Sequence, residues 1–315
     1  MLTPAERERG YAALSLARAL DERMWRLARA GRAHFAVPCS GHEAIGAGYA
    51  LALRPGIDWV SPHYRDLAAL LVLGMAARDV MLCFFSRPSD PNAAGRQPYA
   101  HFGSRRLGVL SQQGPQPNHC SHGVGCAWAS KILGDGSVSV IAFGDGGAQK
   151  GEVHESMNLA AIHRLPCIFV VHRNGWTQSV RREDEYATET LVARAEGYGM
   201  PGVAVDGTDI EAMAVATQQA AARARAGEGP TLIDAHCVRF LPNTSNDDDT
   251  RYRDRTELEA AFVTADPLVR ARALVDPAFA EQIDAENAET AREAAAWAEA
   301  QPLGDPVTVM DHAYA

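Results

Sequence analysis

A short apolar run that leads into a glycine-rich turn limits the fold of this chain more than any other feature. Residues 138–143 have the length and composition of a buried strand, and Gly144-Asp-Gly-Gly-Ala148 follows directly. A helical stretch over 152–163 comes next, and a second apolar strand covers 167–171. Strand, turn, helix and strand in this order form a βαβ unit, so the sequence predicts a parallel sheet.

The other segments extend this unit to an α/β fold, a parallel sheet flanked by helices. Thr3-Pro-Ala-Glu6 has the pattern of a capping box and predicts a helix that ends near Gly31. No repeat or low-complexity linker divides the chain, so we expect one domain over 1–315, with an N-terminal helical arm (about 1–30) and a C-terminal helical tail (about 277–300). Further helices are predicted at 40–53, 66–73 and 209–226, further strands at 203–205 and 232–235, and long polar loops at 86–121 and 241–255.

Composition excludes several classes of function. The net charge is −9, which does not suit a surface that coats nucleic acid or an anionic membrane, and we expect neither as a partner. No apolar run reaches the roughly 18 residues of a membrane span. The six cysteines form no C-x-x-C pair, which favours reduced thiols in a cytoplasmic protein.

The turn after the first strand predicts a site for an anion and a metal. It places Asp145 where the sheet opens, beside the free N–H groups of a helix N-terminus. A phosphate there would face the carboxylate, which is unfavourable unless a hard cation such as Mg²⁺ or Ca²⁺ joins the two. The next strand delivers the Asn174 amide and the Trp176 carbonyl to the same crevice. The alternative is an ordinary tight turn, since 134–136 repeats Gly-Asp-Gly elsewhere in the chain.

The spacing from Asp145 to Asn174 resembles the thiamine-diphosphate signature, and the resemblance continues outside it. Blocks in the same order are similar to α subunits of branched-chain 2-oxo acid and pyruvate dehydrogenases: 41–44, 61–66, 95–106, 151–158, 165–169, 205–207, 229–233 and 247–253. The resemblance implies the thiamine-diphosphate-binding fold, with thiamine diphosphate and Mg²⁺ as cofactors. It also implies decarboxylation of a small 2-oxo acid with transfer of the acyl group to lipoamide.

Site residues follow from this resemblance. Asp145, Asn174 and the carbonyl of Trp176 correspond to the metal ligands. Tyr64 and Arg65 correspond to a pair on the diphosphate, for which the forked guanidinium is well suited. The remaining expected cofactor contacts are Gln116, Gly144, Gly146, Gly147, Ala148, His172, Arg173 and Asn243, and His101 is expected on the cofactor side as a candidate catalytic residue.

Two positions depart from the family pattern. Asn243 stands where relatives have a catalytic histidine near the thiazolium ring, and asparagine cannot act as an acid or base near neutral pH. His119 and His122 are candidates to compensate for it. His172 stands where branched-chain relatives have a residue on the diphosphate, and Arg173 is an alternative source of the charge.

These departures leave three hypotheses open. The first is a dehydrogenase component that passes the acyl group to a lipoyl-bearing acyltransferase. The second is a thiamine-dependent carboligase that makes acyloins, and the third is a non-catalytic subunit that binds cofactor and partner. No segment resembles the module that carries the family's catalytic glutamate. We therefore expect half of a site, completed by a β subunit in an assembly of two α and two β chains.

Overall fold

The computed structural model describes residues 1–112 and 116–311. Its strands are β1 Trp59–Ser61, β2 Ser139–Gly144, β3 Cys167–Arg173, β4 Trp176–Thr177, β5 Val180–Arg181, β6 Gly202–Asp206 and β7 Thr231–His236. Its helices are α1 Pro4–Arg29, α2 Glu43–Leu51, α3 Leu67–Leu73, α4 Ala77–Phe84, α5 His119–Leu133, α6 Gly151–Ile162, α7 Val192–Gly197, α8 Ile210–Arg225, α9 Arg255–Thr264, α10 Pro267–Arg272 and α11 Pro277–Glu299.

Five parallel strands form the central sheet, in the order β1-β2-β3-β7-β6. β2 and β3 pair in register from Ser139 opposite Cys167 to Gly144 opposite His172, so their carboxyl ends lie side by side. The parallel sheet flanked by helices is confirmed. β1 is an addition, because three residues are too few to give a recognisable pattern. The small antiparallel pair β4–β5 follows β3 immediately.

Side chains alternate between two hydrophobic cores, one on each face of the sheet. Val140 and Val170 contribute to the core beneath α1, α2 and α8, whereas Ile141 and Phe169 contribute to the core beneath α5 and α6. Because neighbouring residues of a strand point to opposite faces, this alternation also decides where the polar residues at the end of β3 point.

The capping box predicted at the chain start is present. Glu6 N–H donates to Thr3 Oγ1 at 3.3 Å, and Thr3 N–H donates back to the Glu6 carboxylate at 2.7 Å. α1 packs against α11, where the Tyr11 hydroxyl donates to Asp284 at 2.8 Å. Arm and tail therefore share one core, and the single domain over 1–315 stays a prediction. No helix in the described parts of the chain has both the length and the apolar character needed to cross a bilayer.

Helix α5 begins inside the stretch that the sequence predicts as loop. Its glycines and polar residues hide its helical character, yet Gly123 has a packing function. A Cβ atom at this position would lie 2.5 Å from Ile141 Cγ1 of β2. Glycine thus lets α5 approach the sheet closely, which a composition-based prediction does not detect.

Candidate active site

A cleft of about 430 Å³ lies at the carboxyl ends of β2 and β3. The turn after β2 forms its floor, and the segments after β1, β3 and β7 form its walls. Such a position, outside the carboxyl ends of parallel strands, is where α/β proteins bind ligands. The cleft collects most of the predicted site residues: Tyr64, His101, Gln116, Gly144, Asp145, Gly146, Gly147, Asn174, Trp176 and Asn243.

Asp145 is buried at the floor of the cleft. Its Oδ2 accepts the backbone N–H groups of Asn174 at 2.8 Å and Gly175 at 3.2 Å, and its Oδ1 accepts the Tyr186 hydroxyl at 2.9 Å. Burial raises the pKa of Asp145 to about 6. No Lys or Arg in the described residues forms an ion pair with it. A buried carboxylate without a counter-charge is suited to a cation.

Asn174 and Trp176 lie beside this carboxylate. The Asn174 side-chain oxygen accepts the Trp176 N–H at 3.1 Å, which bends the chain after β3 toward the cleft. The Trp176 indole packs on Tyr252, with ring centroids 5.4 Å apart. An amide oxygen and a carboxylate held in one crevice are the hard donors that Mg²⁺ prefers.

Two buried guanidinium groups, those of Arg65 and Arg239, do not line the cleft but contact its wall residues Asn243 and Gln178 from behind. Arg65 Nη2 donates to the Asn243 side-chain oxygen at 2.9 Å, and Arg239 donates to the Gln178 carbonyl at 2.9 Å. Neither forms an ion pair within the described residues, and both Nε atoms lack a hydrogen-bond partner there. Burial, with the nearby Arg65 charge, lowers the pKa of Arg239 to about 10. Buried charges are normally paired, so these two indicate an anionic ligand.

Glycine at 146 is required by the close approach of β4. A Cβ atom there would lie 2.3 Å from Thr177 Cγ2 and 3.0 Å from Thr177 Cβ. Threonine is short and stiff, so it cannot move aside. Ala148 is buried below the turn, where its carbonyl accepts Arg194, and it does not line the cleft. The floor of the cleft is therefore mainly backbone.

His101 lines the cleft with a defined tautomer. Its Nδ1 lies 2.9 Å from the Pro98 carbonyl, so Nδ1 carries the proton and Nε2 keeps its lone pair. Gln116 also lines the cleft, next to residues 113–115, which lie outside the described chain. Both predicted residues are therefore within reach of a ligand.

His172 and Arg173, both predicted as cofactor contacts, do not line the cleft. His172 is fully buried, and its Nε2 lies 3.0 Å from Asp66 Oδ1. Arg173 points to the opposite face of β3, pairs with Asp234 at 2.7 Å and lines a neighbouring pocket of about 260 Å³. Strand alternation separates the two side chains. Arg65 and Arg239, which contact the cleft wall, are alternative sources of the positive charge expected from Arg173.

The histidines proposed to replace the missing acid–base group are also elsewhere. His119 is buried and donates from Nε2 to the Ala142 carbonyl at 2.8 Å, and His122 is exposed on α5. Neither lines the cleft. The Asn243 amide oxygen accepts Arg65, so this residue is held in the cleft wall as a neutral acceptor.

Sequence reasoning missed four residues of the site. His63 and Lys150 line the cleft, Tyr186 binds Asp145, and Arg239 forms the second buried charge. His63 and Lys150 were signalled only by their positions next to Tyr64 and to the 144–148 turn. Tyr186 and Arg239 come from segments without a motif, and only the tertiary fold brings them to the site.

The family model for the dehydrogenase E1 component matches residues 11–306 of this chain. The chain belongs to that family. The 2-oxoisovalerate dehydrogenase subunit alpha of Bacillus subtilis is 38% identical over 320 residues, which cover 100% of this chain and 97% of that protein. The pyruvate dehydrogenase E1 component subunit alpha of Staphylococcus aureus is 36% identical over 266 residues, covering 82% of this chain and 67% of the relative.

A third relative has a branched-chain name. The 3-methyl-2-oxobutanoate dehydrogenase subunit alpha of Mycobacterium tuberculosis is 37% identical over 265 residues, covering 83% of this chain and 68% of that protein. As an E1 component with α-subunit relatives, the chain is part of a 2-oxo acid dehydrogenase, and the predicted family and enzyme class are confirmed. Membership of this E1 family also implies thiamine diphosphate as the cofactor and a β subunit as partner.

Proposed function

We propose that this E1 chain is the α subunit of a thiamine-diphosphate- and Mg²⁺-dependent enzyme that decarboxylates a 2-oxo acid and transfers the acyl group to lipoamide. One observation carries the proposal. Within the described residues, a buried carboxylate without a cationic partner lines the cleft, and two buried guanidiniums without an anionic partner contact the wall of the same cleft. A metal-bound diphosphate supplies both missing charges at once.

The residues present fit this cofactor. Asp145, Asn174 and the Trp176 carbonyl would hold Mg²⁺, because they offer hard oxygen donors around one point of the floor. Tyr64, Arg65 and the backbone of 144–148 would hold the diphosphate, with Arg239 as a second positive group. Backbone N–H groups at this turn add further hydrogen-bond donors for the anion.

The cofactor, when bound, supplies an electron sink for the decarboxylation. This chain contributes orientation and charge. Arg65 and Arg239 fix the anionic end, and His101 presents an Nε2 lone pair to the cleft. The catalytic glutamate expected in the family has no counterpart in this chain. We therefore propose that the β subunit completes the site, in an assembly of two α and two β chains.

The names of the relatives support a branched-chain substrate. Two of the three relatives described above act on branched 2-oxo acids by name, and one of them aligns over the whole of this chain. We also propose a lipoyl-bearing acyltransferase as the acceptor protein. The cytoplasmic location predicted from sequence stays a prediction, which the six unpaired cysteines support because such thiols suit a reducing compartment.

A carboligase is the second candidate, and one observation favours it. Asn243 stands in the wall without acid–base capacity, and its oxygen already accepts Arg65. An enzyme with asparagine at this position of the cleft wall would still decarboxylate the 2-oxo acid but would not pass the acyl group to lipoamide. The carbanion equivalent would then add to an aldehyde and yield an acyloin.

Product analysis separates the candidates. The chain is combined with its β partner, thiamine diphosphate, Mg²⁺ and a panel of linear and branched 2-oxo acids, with and without a lipoyl domain. We expect acyl-lipoyl product, fastest with branched acids. Acyloin in its place would favour the carboligase, and full activity of the chain without a β subunit would refute the half-site.

A matched pair of variants tests the metal site. Asp145→Asn should abolish activity and magnesium-dependent cofactor uptake, because the hard anionic donor is lost. Asp135→Asn is the control. Asp135 occupies the second Gly-Asp-Gly, between α5 and the amino end of β2, whereas the cleft lies at the carboxyl ends of the strands. Equal activity of the two variants would contradict the assignment of Asp145.

A further inference from the structure

Three buried histidines lie together behind the cleft: His42, His63 and His172, here called the histidine cluster. Each has a ring nitrogen within 4.8 Å of a ring nitrogen of the other two. The exposed fraction of each residue is 3% or less. Three elements bring them together, because His42 precedes α2, His63 follows β1 and His172 ends β3.

A carboxylate lies next to the cluster. His172 Nε2 is 3.0 Å from Asp66 Oδ1, an ion-pair distance, and His172 Nδ1 faces His42. The second oxygen of Asp66 accepts the His63 backbone N–H at 2.7 Å. Metal-binding histidines almost always have a carboxylate or carbonyl next to their other ring nitrogen, which sets the tautomer and raises the basicity of the ligand.

The distances between ring nitrogens suit a small dication. His42 Nδ1 and His172 Nδ1 are 3.1 Å apart and form a hydrogen bond with each other, which a bound ion would replace. Two nitrogens that each lie 2.0–2.1 Å from a tetrahedral zinc ion are about 3.4 Å apart. Movements of a few tenths of an ångström would therefore admit the ion between them, with a larger rotation required of His63 because the cluster spans up to 4.8 Å.

Polar atoms of the cluster lack partners. His42 Nε2 and His63 Nδ1 are buried, and neither forms a hydrogen bond within the described residues. Buried side-chain nitrogens are normally satisfied, so the His63 nitrogen indicates a missing ligand, and His42 Nε2 can carry the ring proton when Nδ1 binds the ion. Burial also favours the neutral imidazole, the form that binds metal, in both residues.

We propose that the histidine cluster binds one first-row transition-metal dication of the zinc class, separately from the magnesium site at Asp145. Imidazole selects zinc, cobalt or nickel over magnesium, and the Cys237 sulfur, 3.6 Å from His42 Nδ1, adds a soft donor nearby. The ion reaches the cluster through the cleft, which His63 lines. None of the magnesium donors belongs to the cluster, so the two ions do not compete for ligands.

Cobalt is the probe, because its visible spectrum reports the number and type of ligands. The full chain is treated with chelator and titrated with Co²⁺ in a large excess of Mg²⁺. We expect saturation at one equivalent with intense bands of low coordination number, reversed by one equivalent of Zn²⁺. His42→Gln and His172→Gln should remove these bands, whereas Asp145→Asn should keep them.

Two further variants keep the test decisive. His122→Gln is the matched control, since this histidine is exposed on α5, and it should bind cobalt as the wild type does. Asp66→Asn should weaken the affinity roughly ten- to hundredfold, the usual effect of losing the partner of a metal-bound histidine. If circular dichroism shows that the histidine variants do not fold, Asp66→Asn is used in their place. Absent bands in the wild type, or bands unchanged by His42→Gln or Asp66→Asn, overturn the proposal.

Discussion

The buried Arg239 leads to a prediction with opposite signs for stability and for binding. The guanidinium is 1% exposed and has no ion pair within the described residues. In the apo chain this unpaired charge destabilises the fold, whereas with a diphosphate bound it stabilises the complex. Arg239→Met, which keeps a flexible unbranched side chain but removes the charge, should therefore stabilise the apo chain and weaken cofactor binding.

The magnitude follows from the contacts of Arg239. Its pKa falls from the ordinary 12.5 to about 10, chiefly through burial. At about 1.4 kcal/mol per pKa unit, the charge costs the apo fold roughly 3 kcal/mol. The cost is complete below the lowered pKa and fades only above it, so an assay at neutral pH measures it in full.

Lost hydrogen bonds offset part of this gain. Arg239 donates to the Gln178 carbonyl at 2.9 Å and to the Tyr252 hydroxyl at 3.3 Å, each worth about 1 kcal/mol. The net stabilisation is then about 1 kcal/mol, or an increase in Tm of about 2 °C. Loss of a charged hydrogen bond to a phosphate costs about 1.5–3 kcal/mol, which weakens the cofactor affinity roughly ten- to hundredfold.

Urea unfolding of the apo chain and calorimetry of thiamine diphosphate binding with the β subunit present measure the two effects. Arg225→Met is the matched control. Arg225 is paired with the buried Asp58 at 2.5 Å, at the amino end of the sheet. This control should destabilise the chain and leave the cofactor affinity unchanged. If Arg239→Met destabilises the apo chain as much as the control and binds cofactor normally, the reasoning about unpaired charge is wrong.

Three other predictions concern stability and the cleft. Burial raises the pKa of Asp21 to about 6, so its contribution is complete below about pH 4 and is lost as the pH rises through 6. Asp21→Asn should therefore gain roughly 3 kcal/mol relative to wild type between pH 4 and 8 in urea unfolding, and a constant difference would contradict this. Gly146→Ala should abolish cofactor binding, because the new Cβ meets Thr177, whereas Gly151→Ala, with open space around it, should bind normally in the same titration. Removal of Mg²⁺ by a chelator should prevent thiamine diphosphate from quenching the fluorescence of Trp176, and metal-independent quenching would show that no cation bridges Asp145 and the diphosphate.

Local patterns explain which elements were predictable. The βαβ unit follows from two apolar runs and the turn between them, and the capping box sets the start of α1. The sequence predicts a helix over 40–53, whereas α2 covers only Glu43–Leu51. Apolar residues such as Leu53 continue beyond its hydrogen-bonded turns. α5 escaped prediction because its glycines serve contact with β2 and lower its helix propensity.

The site shows the same division. Asp145 and Asn174 could be identified because adjacent parallel strands deliver their ends to one edge, which is a property of the local unit. The orientation of His172 and Arg173 could not, because it depends on which face of β3 each residue occupies. Their roles, like those of the other cofactor contacts, stay proposals that the experiments above test.

The sequence by itself determined the parallel sheet, the glycine turn and the family. Each depends on residues that are close together in the chain, and backbone geometry sets their spacing. Only the tertiary structure decided that Arg239, far along the chain from Arg65, is buried with it beside the same cleft. It also decided that three histidines from separate segments meet behind that cleft. Such meetings depend on long-range packing, which leaves no periodic or local signal in the chain.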